Sequence, residues 1–310
     1  MADTRPTLLF RREFHGLTGG HLKVWHYFRH AVRSSRFQPV IHFTPESVLG
    51  PDNPWHEPGG FASSSWEPAT AGALFLAGLD WEAVPASTAT PVYNLIQSLR
   101  HAEAGDPRRS YLSRRAVRIC VSPEVAEAIV ATGEVNGPVF TVPAGLDAID
   151  FPAPAPRRDI DLVVAGLKNP ALARAIAGHF AGSGFRVELL LDQMPRREYL
   201  ALFGRAEIAV PLPVQAEGFF LPALEAMAMG AVVVCPDCGG NRSFCRDLVT
   251  CLRPEYRLEA IVAAVEAALG MPAAARAAIR AAAAGEVDRH DLDREREAFL
   301  ALLDGRVHEA

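Results

Sequence analysis

The 310-residue sequence lacks three features that would place it at once in a common protein class. It has no run of about 18 strongly apolar residues, so we expect no membrane-spanning helix. It has no basic excess, because its formal net charge is −5, and this argues against a nucleic-acid-binding protein. Its first twelve residues hold only a four-residue apolar stretch before charges begin, so we expect no secretory signal and a cytoplasmic location.

Cysteine is also scarce, with five in the chain, but four of them fall close together. The spacing of Cys235, Cys238, Cys245 and Cys251 could supply four thiolates to zinc, although the interval from Cys238 to Cys245 is shorter than in most zinc ribbons. The alternative is that these are buried thiols, since Cys235 ends an apolar run. The fifth, Cys120, lies in another apolar run and is expected in the core. We expect no metal ion in the active site.

A proline-rich segment divides the chain near its middle. Three prolines alternate with alanine from Pro152 to Pro156, which is typical of an extended, semi-rigid linker. We therefore predict an N-terminal domain over residues 1–152 and a second domain over 157–285. The remaining segment, 286–310, is predicted to be a C-terminal helix.

Apolar runs that read as buried strands alternate with helical segments on both sides of this linker. The predicted strands are Thr7–Phe10, Pro39–Phe43, Ala73–Phe75, Val92–Ile96, Arg118–Val121, Val139–Val142, Ile160–Val164, Arg186–Leu191, Ile208–Leu212 and Val232–Cys235. The predicted helices are His21–Ser34, Pro170–Ala181, Arg196–Phe203, Pro222–Met229, Leu258–Ala284 and Asp288–Arg306. Such alternation implies parallel sheets, so the predicted fold class is α/β with two Rossmann-like domains facing a cleft.

The most informative stretch runs from Glu217 to Gly230. Glu217 follows a predicted strand and Glu225 lies on the helix after it, where Pro222 suits the first turn and Gly230 the end. In an open α/β sheet, ligands bind at the carboxyl ends of strands, beside helix N-termini. Two carboxylates flanking such an anion site favour a polyhydroxyl ligand that carries phosphate, which is the description of a sugar nucleotide.

This stretch resembles the Glu-x7-Glu signature of retaining glycosyltransferases that have the GT-B fold and belong to the family 4 type. The strand Ala206 to Leu212, the pair Gly239-Gly240 and the segments Val121–Glu124 and Pro143–Phe151 match the family in order and spacing. The resemblance implies a nucleoside-diphosphate sugar as donor, a hydroxyl acceptor, and transfer with retention at the anomeric carbon. It also implies that the C-terminal helix packs back on the first domain.

The resemblance assigns roles to residues around this signature. Glu225 would hold the ribose hydroxyls, Glu217 would hold hydroxyls of the donor sugar, and the backbone N–H groups of Gly218, Phe219, Phe220 and Leu221 would face the diphosphate. Lys168 would neutralise the leaving diphosphate. The family arginine that accompanies this lysine is replaced by Leu167, and the family acid after the glycine pair is replaced by Ser243.

The resemblance also implies further site residues at the ends of other strands. His101 would touch the donor sugar as a catalytic residue, with Gln97 nearer to the family histidine position. Further donor-binding candidates are Gly19, Gly20, Gly239, Gly240, Asn241, Arg242, Asp192 and Gln193. Arg242 could supply the missing cation, while Asp192 and Gln193 would form the rim of the pocket for the base. His15 and Lys23 flank the first glycine pair and are weaker candidates.

Several alternatives stay open on the sequence. A non-catalytic nucleotide-sugar-binding subunit would explain the two departures, and a nucleotide-sugar epimerase would share the fold and donor pocket. A dinucleotide dehydrogenase is disfavoured, because no strand is followed by Gly-x-Gly-x-x-Gly. The lack of an Asp-x-Asp pair at a strand end favours a metal-independent reaction. Five arginines between Arg108 and Arg118 are either a solvated face or a peripheral contact with the inner face of an anionic membrane.

Overall fold

The computed structural model describes residues 4–16, 18–50, 53–56, 64–147, 151–153, 155 and 157–306. Contacts divide the chain into two compact units: unit 1 comprises Met1–Ala144 and Asp293–Ala310, and unit 2 comprises Gly145–Leu292. The first change of unit therefore precedes the proline-rich segment, of which Pro154 and Pro156 lie outside the described residues. The chain returns to unit 1 at its end, so unit 2 is an insertion within unit 1.

Ten strands in the described residues form two parallel sheets. The strands are β1 (Thr7–Arg12), β2 (Gln38–Phe43), β3 (Ala73–Ala77), β4 (Val92–Ile96), β5 (Val117–Cys120), β6 (Val139–Thr141), β7 (Ile160–Ala165), β8 (Val187–Leu190), β9 (Ala206–Pro211) and β10 (Val232–Val233). The sheet of unit 1 has the order β2-β1-β3-β4-β5-β6, and that of unit 2 has the order β10-β9-β7-β8. The predicted α/β class with two parallel sheets is confirmed.

Helices connect these strands. They are α1 (Gly19–Val32), α2 (Pro107–Ser110), α3 (Pro123–Ala131), α4 (Pro170–His179), α5 (Arg196–Arg205), α6 (Leu221–Ala228), α7 (Leu258–Gly270), α8 (Ala273–Val287) and α9 (Leu292–Leu303). Proline in the first turn sets several starts, and a side-chain oxygen often caps them. At α4, for example, the Asn169 side chain accepts a hydrogen bond from the Leu172 N–H at 3.2 Å.

Two helix predictions need correction. The single helix predicted over Leu258–Ala284 is two helices, because Pro272 cannot continue α7. The helix predicted from Asp288 begins only at Leu292, after a 3-10 turn. Backbone pairing interrupts it there, since the Leu146 N–H donates to the His290 carbonyl at 2.8 Å and the Leu292 N–H donates to the Leu146 carbonyl at 3.1 Å.

The C-terminal helix α9 packs back on unit 1, as the resemblance implied. The ring of Phe299 lies edge-on against Tyr27 of α1 at 4.8 Å and against Phe75 of β3 at 5.7 Å. The carboxylate of Glu295, 2 % exposed, accepts hydrogen bonds from Lys23 and from His30. Burial of these charged groups is tolerated because they pair with one another.

Unit 1 also holds every tryptophan of the chain. Trp25 and Trp55 pack together, with ring centroids 5.0 Å apart, and Trp81 lies beside the ring of Tyr111. Trp66 donates a hydrogen bond to the carbonyl of Ala83 at 2.8 Å. All four tryptophans lie between β1 and β4 in the sequence, so unit 2 contains none.

The core of unit 2 is aliphatic. Strands β7 and β9 contribute Leu162 and Val210, and helices α4 and α7 cover them with Ile176 and Val265; none of these four is accessible to solvent. Within the described residues, no single helix is long and apolar enough to span a membrane. The bent pair α7 and α8 reaches that length and hydropathy together, with an angle of 112° between them.

Candidate functional site

The loop between β9 and α6 is held by the segment that follows β10. The Gly240 N–H donates to the Glu217 carbonyl at 3.1 Å, and the Phe220 N–H donates to the Gly240 carbonyl at 3.0 Å. Glu217 and Gly239 thus form a short parallel bridge beyond the end of the sheet. Because parallel strands end at one edge, this bridge lies where ligands of α/β sheets bind.

This contact requires glycine at position 240, because a larger residue would clash with the neighbouring backbone. A Cβ atom placed on it would lie 2.4 Å from the Gly218 carbonyl carbon and 2.6 Å from the Glu217 oxygen. Both are backbone atoms, so they cannot rotate away as a side chain could. Gly240, one of the pair predicted to face the donor, therefore allows two backbone segments to pack closely together.

Glu217 and Lys168 meet in the structure. Lys168 follows β7, and its ammonium donates a hydrogen bond to the Glu217 Oε1 atom. The same oxygen accepts the Val214 N–H at 3.3 Å, so the carboxylate is fixed from two sides. Lys168 also lies 5.6 Å from the ring centroid of Phe220, within cation–π range. The Lys168 side chain is half exposed, and the Glu217 side chain is 13 % exposed, so a solvent-accessible cation pairs with a partly buried carboxylate.

Glu225 is almost wholly buried on α6, at 3 % exposure, and its partner was not predicted from the sequence. Arg196, the first residue of α5, places its Nη1 atom 2.7 Å from the Glu225 Oε1 atom. Asp192 and Gln193, which are both exposed, lie in the loop between β8 and Arg196. The sequence offered one signal for Arg196: it is a cation in the first turn of a predicted helix, where acidic residues are preferred.

The backbone of the α6 entrance is less open than the resemblance implied. The N–H of Phe220 is bonded to Gly240, and the N–H of Leu221 donates to the Phe219 carbonyl at 3.2 Å. Gly218 also has a partner within the protein. Among the described residues, the Phe219 N–H has no hydrogen-bond partner. It is the donor in this segment that a phosphate oxygen could use without breaking an existing bond.

The segment after Gly240 combines a structural and an exposed residue. Asn241 is fully buried, and its amide donates to the Pro236 carbonyl at 3.0 Å and accepts from the Cys238 N–H at 3.3 Å. Its side chain folds this turn and does not face solvent. Arg242 is exposed and forms a two-pronged ion pair with Asp237, at 2.6 and 2.9 Å.

A cavity of about 480 Å³ lies beside the Glu217–Gly239 bridge. Its lining residues are Gln215, Asp237, Cys238, Gly239, Arg242, Arg253, Pro254, Glu255 and Tyr256. Arg242 and Gly239 therefore share a cavity that adjoins the Glu217 loop. The pKa of Asp237 is lowered chiefly by its hydrogen bonds with Arg242, so the Asp237–Arg242 pair is ionised at neutral pH.

The clustered cysteines are buried thiols. Cys235, Cys245 and Cys251 have no exposed surface, and Cys238 has 1 %. Burial raises the pKa of Cys245, and hydrogen bonds with Cys235 and Cys251 raise it further. In the part of the chain that the structure describes, no group of three or more His, Cys, Asp or Glu side chains is arranged to hold a metal ion. Of the two interpretations of these residues, the buried-thiol one fits the structure.

Unit 1 has its own cavity, of about 500 Å³, at the carboxyl edge of its sheet. It is lined by Arg11, Arg12, Glu13, Thr18, Gly20, His21, Ala77, Gly78, Leu79, Asp80, Glu82, Gln97 and Arg108. Gly19 and Gly20 form the first turn of α1, whereas a turn ahead of that helix was predicted; Thr18 caps it. Gly20 and Gln97 thus share a cavity. Burial, together with the charge on Arg12, lowers the pKa of His21 to about 4.

Three predicted histidine and lysine candidates lie elsewhere. His101 is 4 % exposed, and its Nδ1 atom lies 3.0 Å from the Ser98 carbonyl, outside the lining of the cavity that contains Gln97. Lys23 is committed to Glu295 in the buried network under α9. His15 is exposed and pairs with Glu13 at 2.8 Å.

The arginine cluster of unit 1 is largely structural. Arg118 has no exposed surface and donates to the Asn94 amide oxygen at 2.5 Å. Arg114 donates to the carbonyls of Val84 and Pro85 and lies over the ring of Trp81 at 4.6 Å. The other two paired members are Arg108, bound to Asp106, and Arg109, bound to Glu134. These arginines therefore do not form a uniformly solvated basic face.

Comparison with known proteins gives a family and a fold. A family model described as glycosyl transferases group 1 matches residues 115–270, which is half of the chain. No curated protein sequence matches the chain. The Anabaena protein HepE, solved in complex with UDP-glucose, has the same fold with a TM-score of 0.77 and 13 % identity, over 97 % of this chain and 100 % of that one.

Two further solved structures share this fold at similar coverage. Sucrose-phosphate synthase from Thermosynechococcus elongatus has a TM-score of 0.72 and 15 % identity, over 97 % of this chain and 99 % of the other. The α,α-trehalose 6-phosphate synthase from Burkholderia multivorans has a TM-score of 0.65 and 13 % identity, over 97 % and 99 %. The shared fold thus extends well beyond the segment that the family model matches.

Proposed function

The chain belongs to the glycosyl transferases group 1 family, and from that premise we propose that it transfers a sugar from a nucleoside-diphosphate sugar to a hydroxyl acceptor with retention of anomeric configuration. The observation that carries the proposal is the meeting of Lys168 with Glu217 beside the entrance of α6. A carboxylate for sugar hydroxyls and a cation for phosphate are there in direct contact, which is the pairing that a sugar phosphate requires.

Each residue of this set has a proposed task. Glu217 accepts hydrogen bonds from hydroxyls of the donor sugar, and Glu225 accepts them from the ribose. Lys168 leaves Glu217 to neutralise the diphosphate, which its half-exposed side chain can reach by rotation. The Phe219 N–H donates to a phosphate oxygen. The contact with Lys168 also balances the charge of the partly buried Glu217 carboxylate.

The reaction needs no protein nucleophile. The acceptor oxygen forms a bond to the anomeric carbon while the bond from that carbon to the phosphate oxygen breaks. The proton of the acceptor hydroxyl passes to the departing phosphate oxygen, so the products are a glycoside and a nucleoside diphosphate. The protein contributes orientation and electrostatic stabilisation of the leaving group, which Lys168 supplies as a cation.

A second function, that of a non-catalytic nucleotide-sugar-binding subunit, is favoured by two residues that depart from the family pattern. Leu167, 40 % exposed, stands where the family arginine is expected beside Lys168, and Ser243 stands where an acid is expected. A protein with a weakened phosphate clamp could bind the nucleotide sugar and serve an active partner without turning over. The two functions share the binding site and differ only in catalysis.

Titration calorimetry with UDP, GDP, ADP, CDP and dTDP tests the shared part. We expect one nucleotide to bind, and UDP is the first choice because HepE was solved with UDP-glucose. Glu217→Ala and Glu225→Ala should each weaken binding of the matching nucleotide sugar at least tenfold, or about 1.4 kcal/mol. Glu259→Ala, an exposed change on α7, is the control. Unchanged affinity in both site variants would reject the assignment.

Proton NMR of the enzyme with UDP-glucose tests catalysis. Slow transfer to water should release glucose whose first-formed anomer is α, the configuration of the donor. Release of the β anomer would contradict retention. Tight binding with no turnover, in the presence of a panel of sugar and lipid acceptors, would favour the non-catalytic subunit.

A further inference from the structure

We propose that Arg196 is a positioning residue for the nucleotide end of the donor, acting through Glu225. It holds one oxygen of that carboxylate so that the other faces the ribose hydroxyls. This inference rests on the proposed function, because it takes the ligand of Glu225 to be a ribose. Arg196 does not belong to the signature that identified the site.

The place of Arg196 in α5 is not explained by helix stability. Arg196 is the first residue of the helix, and its N-cap Pro195 offers no side-chain hydrogen bond. A cation at this end is opposed by the helix dipole, which favours acidic residues in the first turn. The guanidinium instead reaches across to α6, where its Nη1 atom lies 2.7 Å from Glu225. The contact with Glu225 is therefore one determinant of its orientation, beside a further interaction of Arg196 within the protein.

Glu225 needs such a partner. Its side chain is 4 % exposed, and an isolated carboxylate at that depth would lose its hydration without compensation. Arg196 is itself 23 % exposed, so it lies between the buried carboxylate and the protein surface at the start of α5. The planar guanidinium fixes the carboxylate rotamer more firmly than an ammonium would.

The two oxygens of Glu225 are used differently. Oε1 accepts the hydrogen bond from Arg196. Among the described residues, Oε2 has no hydrogen-bond partner, and it is not one of the side-chain atoms sealed from solvent without one. A buried carboxylate with one oxygen fixed and the other open is prepared to accept from a ligand hydroxyl. The inference assigns that hydroxyl to the ribose.

A cycle that combines protein variants with modified nucleotides tests this role. UDP and GDP are titrated with their 2′-deoxy and 3′-deoxy forms against wild type, Arg196→Gln, Arg196→Lys and Glu225→Gln. Wild type should lose at least tenfold in affinity when the contacted hydroxyl is absent. Arg196→Gln should bind the parent nucleotide about tenfold more weakly and reduce that discrimination to below about threefold. Arg196→Lys, which keeps the charge, should recover part of it.

The double variant Arg196→Gln/Glu225→Gln separates positioning from direct contact. If Arg196 acts through Glu225, the double variant should bind as the Glu225→Gln single variant does. An additive loss would mean that Arg196 contacts the ligand by itself, and it would overturn the inference. Unchanged hydroxyl discrimination in Arg196→Gln would overturn it too.

Arg197→Gln is the matched control, since it removes the same charge from the next, exposed residue of the same helix. It should retain wild-type affinity and discrimination, and equal losses in both arginine variants would contradict a specific role. Thermal unfolding midpoints of all variants show whether each is folded. Failure of the wild-type protein to bind any nucleoside diphosphate would instead refute the proposed function.

Discussion

At the scale of single residues, the ion pair between the Lys168 ammonium and the Glu217 carboxylate is the central contact of the site. Both residues were predicted as site residues from the sequence. Asn241 was predicted to bind the donor but is sealed in a turn, because a side-chain amide next to a glycine pair can satisfy backbone groups as readily as a ligand. Arg196 was missed because its partner lies 29 positions away, beyond any local pattern.

Gly240→Ala tests the backbone contact that shapes the site. The added methyl group must displace the Glu217–Gly218 backbone, since both contacts are shorter than 3 Å. We expect nucleotide-sugar affinity to fall at least tenfold and unfolding free energy to fall by about 1–3 kcal/mol, as in overpacked cores. Gly270→Ala lies at the end of α7, where nothing lies within 4 Å of the added atom, so it should leave the affinity unchanged and should not lower the unfolding free energy. Calorimetric titration and urea unfolding measure the two effects.

His101 gives the protein an acid-sensitive element. Burial lowers the pKa of His101 to about 4, against the opposing effect of its hydrogen bond with the Ser98 carbonyl. Between pH 6.5 and 4 the unfolded chain therefore binds a proton at this residue that the native protein does not. Stability is lost as the pH falls through that range, by about 3 kcal/mol from this residue.

Urea unfolding of wild type and His101→Asn at several pH values measures this contribution. The variant should lose less stability between pH 7 and 4 than wild type, whatever its stability at pH 7. Parallel slopes for wild type and His101→Asn would show that His101 is protonated equally in both states.

At the scale of elements, apolar runs located all ten strands within a residue or two, because a strand buried on both faces in a parallel sheet needs a continuous apolar stretch. Helix bounds were less accurate. The alanine-rich segment after Leu258 has uniform helix propensity, so only Pro272 marks the break between α7 and α8. The interruption before α9 could not be predicted, because it depends on pairing with Leu146, which is remote in sequence.

One buried carboxylate, Glu295, contributes to the attachment of α9 to α1. Glu295→Gln would leave the Lys23 ammonium buried without its counter-charge, and such losses cost about 3–5 kcal/mol. Because the network and all four tryptophans lie in unit 1, tryptophan-detected urea unfolding should show the loss. Glu297→Gln, an exposed change one residue beyond Arg296 on α9, should have no such effect. A wild-type midpoint in Glu295→Gln would mean that Lys23 finds another partner.

At the scale of the whole molecule, each unit has its own parallel sheet and its own core, and each is of the size of an independent domain. We expect calorimetry to show two unfolding transitions, of which only one coincides with the tryptophan signal. UDP, if it binds unit 2 as proposed, should raise the other, by about 2.7 kcal/mol at a concentration one hundred times its dissociation constant. A single transition seen by both methods would contradict this.

The insertion of unit 2 within unit 1 has a consequence for synthesis. Lys23 is translated 272 residues before Glu295, the carboxylate that neutralises it in the native core. Unit 2 ends at Leu292, so the ribosome has completed it before α9 has emerged. Translation of unit 1 therefore starts before that of unit 2 and ends after it. The N-terminal part of unit 1, which still lacks α9, must stay soluble while unit 2 is translated.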